Sequence, residues 1–406
     1  MSLTTLGLAA PNDPALELDA SSPAADAVSE APEAPEPKTE ISARPGEGVR
    51  VASGDFSLTL GMRAQVRATL EDQRATDDDA TLGLKLQRMR VTAKGTLFDP
   101  HTQLALDLDL AQLGATPPAR TTPLLDAFAQ FSHLRDLTLR VGQYKVPFLR
   151  ETIQADGKLE LVDLSLMQRR FSLDRDVGLD VGSQDLFGTG GYLRYNLGVY
   201  SGQGTRNLEQ RPFGLMYLAR VEVLPLGAFD DYSQGDLGRS DLGVALGGAV
   251  GYVDGARQRA GTLGGAFNDG GTADYQVATL DLVLKVAGVH LYGAVAFRSG
   301  DRDGGGALDE SGVLIPVEDA HNGWGLVGQL SYVIPTTSAL VACRYAASTA
   351  GSDSAMTNER EVGGGVSYFF HKHALKLQAD ALRVWQPKLG MSEGTDQVRL
   401  QLQMVL

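Results

Sequence analysis

Basic side chains are concentrated between positions 140 and 175 of this 406-residue chain. Guanidinium and ammonium groups are the usual protein ligands of phosphate and carboxylate groups, which they bind through charge-assisted hydrogen bonds. The concentration of such groups therefore predicts an anion-binding site. The residues concerned are Arg140, Lys145, Arg150, Arg169, Arg170 and Arg175.

Carboxylates in the same stretch allow a second interpretation. Arg169, Arg170 and Arg175 could pair with them, and the pairs would attach the segment to its surroundings without selecting any solute. The two interpretations are compatible, and the sequence leaves both open. The carboxylates available are Asp163, Asp174 and Asp176.

Catalytic chemistry has little support in the sequence. Nucleophilic catalysis needs a nucleophile beside a base, and the six histidines are scattered. Cys343 is the only cysteine, which excludes an intramolecular disulfide and a cysteine-based metal cage. The "HKH" at residues 371–373 offers two histidines without a third ligand. We predict no catalytic residue, no metal site and no cofactor, and hence no enzyme.

The elements that must position these residues are strands. In "FSLTLGMRAQVRATL", residues 56–70, apolar even positions alternate with small or polar odd positions. A period of two indicates a β-strand, and this one is long beside the usual 5–6 residues or so. The pattern recurs to the C terminus and predicts sixteen strands. Their ranges are 55–70, 82–98, 102–113, 124–133, 136–146, 175–185, 190–201, 213–224, 241–254, 274–287, 288–299, 323–335, 338–349, 359–371, 374–386 and 396–406.

The connections between these strands mostly alternate between short and long. Tight turns on one rim and long loops on the other are typical of a transmembrane β-barrel, whereas a soluble β-sandwich would have fewer and shorter strands. No run of about 18 apolar residues indicates a transmembrane helix. We therefore predict an all-β fold, a 16-stranded antiparallel transmembrane β-barrel. The connection at 224–241 breaks the rule, so either a strand is miscounted there or that rim carries an insertion.

Two regions are expected. Residues 1–50 are rich in Ala, Pro and Glu and predict a disordered acidic tail, with a possible signal-peptide remnant at 1–10. Residues 51–406 form the barrel. The formal net charge of -14 argues against a nucleic-acid partner.

The alternation also predicts which side chains face the lumen of the barrel. Reversing the 56–70 strand would place Arg63 and Arg67 in lipid, at about 2–4 kcal/mol each near the midplane. Applied to every strand, this rule gives a lumen with more basic than acidic residues, and with so many strands an aqueous channel. The basic residues predicted to line it include Arg63, Arg67, Arg88, Arg90, Lys94, Arg194, Arg220 and Arg298.

From residue 82 onward the chain resembles the phosphate-selective porin O and P family of Gram-negative outer membranes. The residues that carry the resemblance are "LQRMRVTAKGTLFD" (86–99), "LLDAFAQF" (124–131), "LTLRVGQYKVPFLRE" (137–151), "RDVGLDVG" (175–182) and "YNLGVYSGQG" (195–204). Leu406 stands where the family usually ends on an aromatic residue. The resemblance implies homotrimers of 16-stranded channels whose third outer loop, here 147–174, folds inward as a constriction.

The function expected on these grounds is an outer-membrane porin, a passive diffusion channel for small hydrophilic solutes or ions. Some family members select phosphate or polyphosphate, so an anion preference is expected here, with a constriction made by the 140–175 cluster. The partners are then the lipid bilayer and small anions such as phosphate. A barrel that serves as a surface scaffold or adhesin, or a barrel hydrolase, is the alternative.

Overall fold

The computed structural model describes residues 38–74, 79–112, 123–206 and 214–406, which are mainly β-structure. In chain order the strands are β1 (Glu40–Arg44), β2 (Gly48–Ser53), β3 (Phe56–Gln73), β4 (Thr81–Leu97), β5 (Asp99–Asp109), β6 (Leu124–Leu134), β7 (Leu137–Lys145), β8 (Arg175–Ser183), β9 (Leu193–Tyr200), β10 (Met216–Val223), β11 (Gly243–Ala256), β12 (Gln258–Ala260), β13 (Leu263–Ala266), β14 (Thr272–Val286), β15 (Val289–Asp303), β16 (Gly323–Val333), β17 (Ala339–Ala350), β18 (Glu359–His371), β19 (Leu375–Trp385) and β20 (Thr395–Val405). Strands β3–β11 and β14–β20 are the sixteen predicted from the sequence, with ends shifted by a few residues.

These sixteen strands form a closed antiparallel barrel. The first pairs with the last, from Gln73 opposite Thr395 to Arg63 opposite Val405. Each other strand pairs antiparallel with its neighbours along the chain, and β11 pairs with β14 across the small β12–β13 hairpin. Closure satisfies the backbone N–H and C=O groups inside the sheet and leaves no free edge in the hydrocarbon.

Long and short connections alternate around the ring, as expected. One end of the barrel, the loop end, carries the described residues 74, 79–80, 110–112, 123, 146–174, 201–206, 214–215, 257–271, 304–322, 351–358 and 386–394. The other end, the turn end, carries residues 98, 135–136, 184–192, 224–242, 287–288, 334–338 and 372–374. No strand is missing at 224–242, so these residues are an insertion at the turn end, where the connection at 184–192 is also longer than a tight turn.

The boundary predicted at residue 50 is too late. Strands β1 and β2 form a hairpin, and β2 continues the pairing of β3 beyond the end of β20, from Val49 opposite Leu60 to Ser53 opposite Phe56. The turn of this hairpin reaches the last strand, where Gly46 N–H donates to Val405 O at 3.1 Å. Residues 40–50 are thus part of the sheet. The rest of the predicted tail and the signal-peptide remnant lie outside the described residues.

The two faces of β3 follow the alternation. Leu60 and Leu70 are about half exposed on the outer surface, whereas Gln65 and Arg67 are buried in the lumen. A β-bulge in β4 then changes the parity of that strand. Gln65 pairs with Arg88 while Val66 pairs with Leu86, so one residue of β4 is extra and the strand turns both Lys85 and Arg88 inward.

Helices are few and short. They are α1 (Arg150–Ile153), α2 (Leu166–Phe171) and 3₁₀ turns at Leu110–Gln112, Asp156–Lys158, Leu186–Gly188, Gly204–Arg206 and Met391–Glu393. Within the described ranges, no helix is long and apolar enough to cross a membrane.

An outward-facing residue near the middle of β14 tests the orientation of the wall. Leu280 is 65% exposed, and Leu280→Arg should lower the free energy of unfolding by about 2–4 kcal/mol because a charge then faces the bilayer midplane. Gln276→Arg, on the same face nearer the loop end, should cost only about 0–1 kcal/mol. Denaturant titration of the barrel in lipid vesicles measures both, and equal losses would contradict this orientation.

Candidate functional site

Residues 146–174, here called the lumen segment, run from β7 across the inside of the barrel to β8. Arg67 of β3 donates to Val162 O at 3.0 Å. On a distant part of the wall, Arg220 of β10 donates to Phe148 O at 2.9 Å. Contacts to strands so far apart in the ring mean that the segment fills much of the lumen.

The second half of the segment is held by a short helix and an apolar contact. Ser165 begins α2 as its N-cap, where its hydroxyl accepts from Gln168 N–H at 3.1 Å. Met167 and Phe171 on this helix are fully buried. They pack over Gly325 of β16, where a Cβ would lie 2.6 Å from the Phe171 ring. The glycine thus lets the helix lie directly against the wall.

The first half is held by backbone hydrogen bonds from lumen side chains. Lys376 donates to Leu159 O at 2.5 Å, and Ser367 donates to Glu160 O at 2.6 Å. Gln403 reaches Gly157 O at 2.9 Å. Since these donors come from β18, β19 and β20, the segment lies against that side of the barrel.

Glu160 is the most enclosed side chain of this attachment. Its carboxylate accepts from Ser331 at 2.6 Å and contacts His290 Nδ1 at 3.2 Å, and both Glu160 and His290 are fully buried. Burial alone would raise the pKa of Glu160. The charge of His290 and the hydrogen bonds to the carboxylate outweigh burial and hold the pKa below its ordinary 4.5.

Arg150 was predicted to belong to the constriction, but the structure encloses it among carboxylates. Its guanidinium is fully buried and donates to Asp281 at 2.5 Å, Asp231 at 2.7 Å and Glu222 at 2.9 Å. It lies over the ring of Tyr232 at 4.8 Å. Arg150 therefore anchors the lumen segment to the wall and lines neither of the two cavities described below.

Asp231 belongs to the insertion at the turn end, which also enters the lumen. Gln234 N–H donates to Lys158 O at 3.0 Å, and its side-chain oxygen accepts from Glu160 N–H at 3.1 Å. Asp231 also accepts from Arg194 at 3.1 Å. The insertion and the lumen segment thus meet inside the barrel and brace each other.

Arg169 and Arg170 of the second half and Arg175, the first residue of β8, are paired, as the attachment interpretation requires, but mostly with other partners. Arg169 binds Glu361 at 2.8 Å and Arg170 binds Glu359 at 2.5 Å. Arg175 binds Asp126 at 2.7 Å and contacts Asp174 at 3.4 Å. The other two carboxylates considered in the sequence have different contacts: Asp163 pairs with Arg67 and Arg88, and Asp176 accepts from Ser201 and Gly202 N–H.

Arg140 and Lys145 are the two residues of the cluster that lie on β7, and each lines at least one of the water-accessible cavities described below. Arg140 donates to Asp180 at 2.7 Å and lies over the ring of Tyr144 at 4.0 Å. Lys145 donates to Gln154 O at 2.7 Å and is 3.5 Å from Asp156. Lys145 therefore bridges the wall and the lumen segment.

Sequence reasoning missed Asp156, and it missed the arginines of the basic wall with which Asp163 pairs. Asp156 contacts Arg63, Arg88 and Arg90, while Asp163 contacts Arg67 at 2.9 Å. The surplus of basic residues predicted from strand parity is offset in this way. A count of lumen charges made from the strands alone omits Asp156 and Asp163. These residues belong to the connection between β7 and β8, and they enter the lumen only when that connection folds inward.

The remaining predicted lumen residues are also placed on the inner face. Arg220 binds Glu222 and Asp281, both at 2.7 Å. Arg298 donates to backbone oxygens, among them His321 O at 2.7 Å. Lys94 pairs in register with Thr59 of β3 and is exposed.

Two water-accessible cavities lie on the β4–β8 side, one toward each end of the barrel. The outer cavity, about 250 Å³, lies at the loop end, and the inner cavity, about 410 Å³, lies at the turn end. Lys145 lines both. The outer cavity is lined by Gln87, Arg88, Arg90, Asp109, Lys145, Thr152, Asp156, Leu164, Gln168, Arg169, Ser172, Asp174, Arg175 and Leu263. The inner cavity is lined by Asp126, Phe128, Gln130, Thr138, Arg140, Tyr144, Lys145, Pro147, Ile153, Asp180, Gly182, Ser183, Gln184, Asn196 and Tyr232.

This architecture can be compared with known proteins. The model of the family described as phosphate-selective porin O and P matches residues 56–228. The match spans β3 to β10 and the whole lumen segment, and it confirms the resemblance inferred from the sequence. No curated protein sequence matches the chain.

Solved porin structures share the fold. The anion-selective porin from Comamonas acidovorans is 14% identical, with a TM-score of 0.57 over 87% of this chain and 100% of that one. The outer membrane channel DcaP of Acinetobacter baumannii is 10% identical, with a TM-score of 0.54 over 87% and 99%. OmpT of Vibrio cholerae, in its trimer form, is 11% identical, with a TM-score of 0.51 over 86% and 99%. At such identities the likeness concerns the fold alone.

Removal of the buried guanidinium should release the lumen segment. Arg150→Met leaves three carboxylates without their cation, and breaking a buried ion pair in this way costs about 3–5 kcal/mol of unfolding free energy. Arg170→Met is the matched control in the same segment, because Arg170 is 41% exposed and an exposed pair is worth about 0–1 kcal/mol. Guanidinium titration in detergent compares the two, and equal effects would contradict the anchoring role.

Acid should loosen the same segment. The pKa values of Glu160 and Asp163 lie below their ordinary 4.5 and 3.8 in the folded protein. Their stabilisation is therefore complete above those values and is lost as the pH falls toward the folded pKa values. The free energy of unfolding attributable to these groups should be flat from pH 5 to 8 and fall below about pH 4.

Two glutamate variants test whether Glu160 contributes to this loss of stability at low pH. Glu160→Gln should make the fall of stability with decreasing pH shallower. Burial raises the pKa of Glu151, so Glu151→Gln should leave the fall at least as steep. A fall that both variants leave unchanged would contradict the assignment.

Proposed function

We propose that the protein is a passive diffusion porin of the outer membrane whose solute path follows the β4–β8 side of the lumen. The family match and the closed 16-stranded barrel support an outer-membrane channel. The lumen segment forms the other side of this path, since Thr152, Asp156 and Gln168 line the outer cavity. Small hydrophilic solutes are the substrates that such a narrowed aqueous path admits.

The observation that carries this proposal is the position of Lys145 between the outer and inner cavities. From the wall it contacts the lumen segment through Gln154 O at 2.7 Å. We infer that this side chain separates water reached from the loop end from water reached from the turn end. Its movement joins the two cavities into one path.

We expect this path to favour anions modestly. Five basic residues line the outer cavity against three acidic ones: Arg88, Arg90, Lys145, Arg169 and Arg175 against Asp109, Asp156 and Asp174. Two unit charges 10 Å apart in water interact by only about 0.4 kcal/mol. Selectivity therefore arises at the junction, where water is scarce. The anion-selective porin from Comamonas acidovorans, which shares the fold, is compatible with this preference.

Two further properties belong to the same proposal. A homotrimer is proposed because OmpT of Vibrio cholerae, with the same fold, occurs in a trimer form. A channel without catalytic activity is proposed because the family is one of porins. A barrel hydrolase or a surface scaffold would not conduct ions across a bilayer.

Planar-bilayer recording tests the function directly. The purified protein should conduct ions, and its reversal potential in a potassium chloride gradient should show a preference for chloride. Absence of conductance would contradict the porin function, and cation preference would contradict the anion component alone.

Lys145→Met tests the junction. Loss of the contact to Gln154 should raise the single-channel conductance and reduce the chloride preference, because one cation leaves the narrowest point. Lys85→Met is the control, since Lys85 lines a different part of the lumen beside Arg67 and Thr69, and it should leave the conductance near the wild-type value. Equal changes in both variants would place the narrowest point elsewhere.

A further inference from the structure

The charges of the inner cavity balance, unlike those of the outer cavity. Two basic residues, Arg140 and Lys145, line it together with Asp126 and Asp180. Each of these groups has a partner in the protein: Arg140 donates to Asp180 at 2.7 Å. Arg175 donates to Asp126 at 2.7 Å, and Lys145 donates to a backbone oxygen of the lumen segment at 2.7 Å. A charged solute would lose water here without gaining a counter-charge, which is costly, so the cavity favours a neutral solute.

Neutral polar groups of the same cavity are available to such a solute. The Tyr144 side chain is only 2% exposed, and its hydroxyl has no hydrogen-bond partner among the described residues. A buried polar group left in this way costs free energy until a ligand or water pairs with it. Four further lining side chains, each an amide or a hydroxyl, make no hydrogen bond to another described residue: Gln130, Thr138, Gln184 and Asn196. Amides and hydroxyls both donate and accept, which suits the hydroxyls of a sugar.

Glycines of β8 and β9 recess the wall beside this cavity. A Cβ at Gly178 or Gly198 would lie 2.5 Å from the ring of Tyr200. A Cβ at Gly182 would lie 2.6 Å from Asn196 Nδ2. The ring and the amide can therefore lie directly against the sheet, and the space that larger side chains would fill stays open to a solute.

Aromatic and apolar groups complete the lining. They are Phe128 on the wall, Pro147 and Ile153 on the lumen segment, and Tyr232 on the turn insertion. Phe128 packs edge to face against Tyr144, with 5.6 Å between the ring centroids. Aromatic faces are electron-rich and attract the C–H groups of a sugar ring. The volume, about 410 Å³, lies within the range of about 300–1,000 Å³ that small-molecule sites occupy.

We propose that the inner cavity is a binding site for a neutral sugar on the diffusion path. The hydroxyls of the sugar pair with Tyr144, Gln130 and Asn196. Its C–H faces lie against Phe128 and Tyr232. Each of these hydrogen bonds contributes little net free energy because it replaces one to water, so the sugar is held weakly and leaves quickly. This proposal rests on the diffusion function proposed above.

Block of the ion current by sucrose tests the proposal in planar bilayers. Sucrose should reduce the single-channel current more than a polyethylene glycol of equal hydrodynamic radius, which has similar bulk but lacks the array of hydroxyls. Tyr144→Phe keeps the ring and removes the unpaired hydroxyl, so the inhibition constant for sucrose should rise by about twofold to tenfold. Asn196→Ala removes an amide and should weaken the block to a similar degree.

Tyr292→Phe is the matched control. The Tyr292 hydroxyl is also buried without a hydrogen-bond partner among the described residues, but Tyr292 lies on β15 and does not line the inner cavity. The change removes the same group from another part of the lumen. The inhibition constant for sucrose should therefore stay at the wild-type value.

Failure of the sugar site can be distinguished from failure of the porin function. Conductance with no more block by sucrose than by polyethylene glycol would overturn the sugar site and leave the porin function in place. Equal inhibition constants in the wild type, Tyr144→Phe and Asn196→Ala would also overturn it. Stronger block by glycine betaine, a zwitterion, than by sucrose would contradict the neutral class of the ligand.

A binding measurement covers the case in which the protein does not conduct. Saturation-transfer NMR detects weakly bound sucrose on the detergent-solubilised protein without any need for a current. Transfer in the wild type and Tyr292→Phe that falls in Tyr144→Phe would support the site. Absence of transfer in the wild type would overturn it.

Discussion

Hydrogen-bond closure between β3 and β20 is the constraint on which the rest of the structure depends. In a bilayer no water is available to satisfy backbone groups, so a sheet is stable there only as a ring. The ring forces each strand to present one face to lipid and the other to the lumen. The register of β3, set by its arginines and leucines, is thereby the register of the whole wall.

The inner face of the ring carries many charged side chains, and the lumen segment supplies groups that pair with them. Arg67, Arg344 and Lys376 are nearly or fully buried, yet each has a partner on the segment or the wall. A buried charge without such a partner would cost several kcal/mol. The segment is therefore a counter-charge for the wall as much as a narrowing of the channel. This dual role explains why the basic cluster that was predicted to bind anions is largely paired with carboxylates in the folded protein.

The sequence was sufficient to predict the barrel wall, because the alternation of apolar and polar residues along a strand is a local pattern. Each of the sixteen strands was predicted, and the lumen side of Arg63, Arg67 and Arg90 followed from parity alone. The bulge in β4 could not be read in the same way, since it depends on pairing with β3. Pairings such as Arg169 with Glu361 join residues far apart in the chain, and no short pattern encodes them. The tail boundary failed because the β1–β2 hairpin is short and exposed and lacks a long alternation.

The two sides of the proposed path also differ in how freely their residues can be substituted. The wall residues belong to strands whose register is fixed by the ring, whereas Asp156 and Gln154 lie on a connection. Exchanges on the connection can therefore adjust the charge of the path while the barrel stays intact. Function in this fold is set largely by a segment that the barrel surrounds.

The seam between β3 and β20 has a consequence for how the molecule forms. It joins the strands most distant along the chain, and such contacts are the slowest to establish. Until the final residues pair, both strands present unsatisfied edges that a second chain could extend. The hairpin of β1 and β2 covers one part of the β3 edge early, from residues adjacent in sequence, so the nascent protein begins with that part already protected against aggregation.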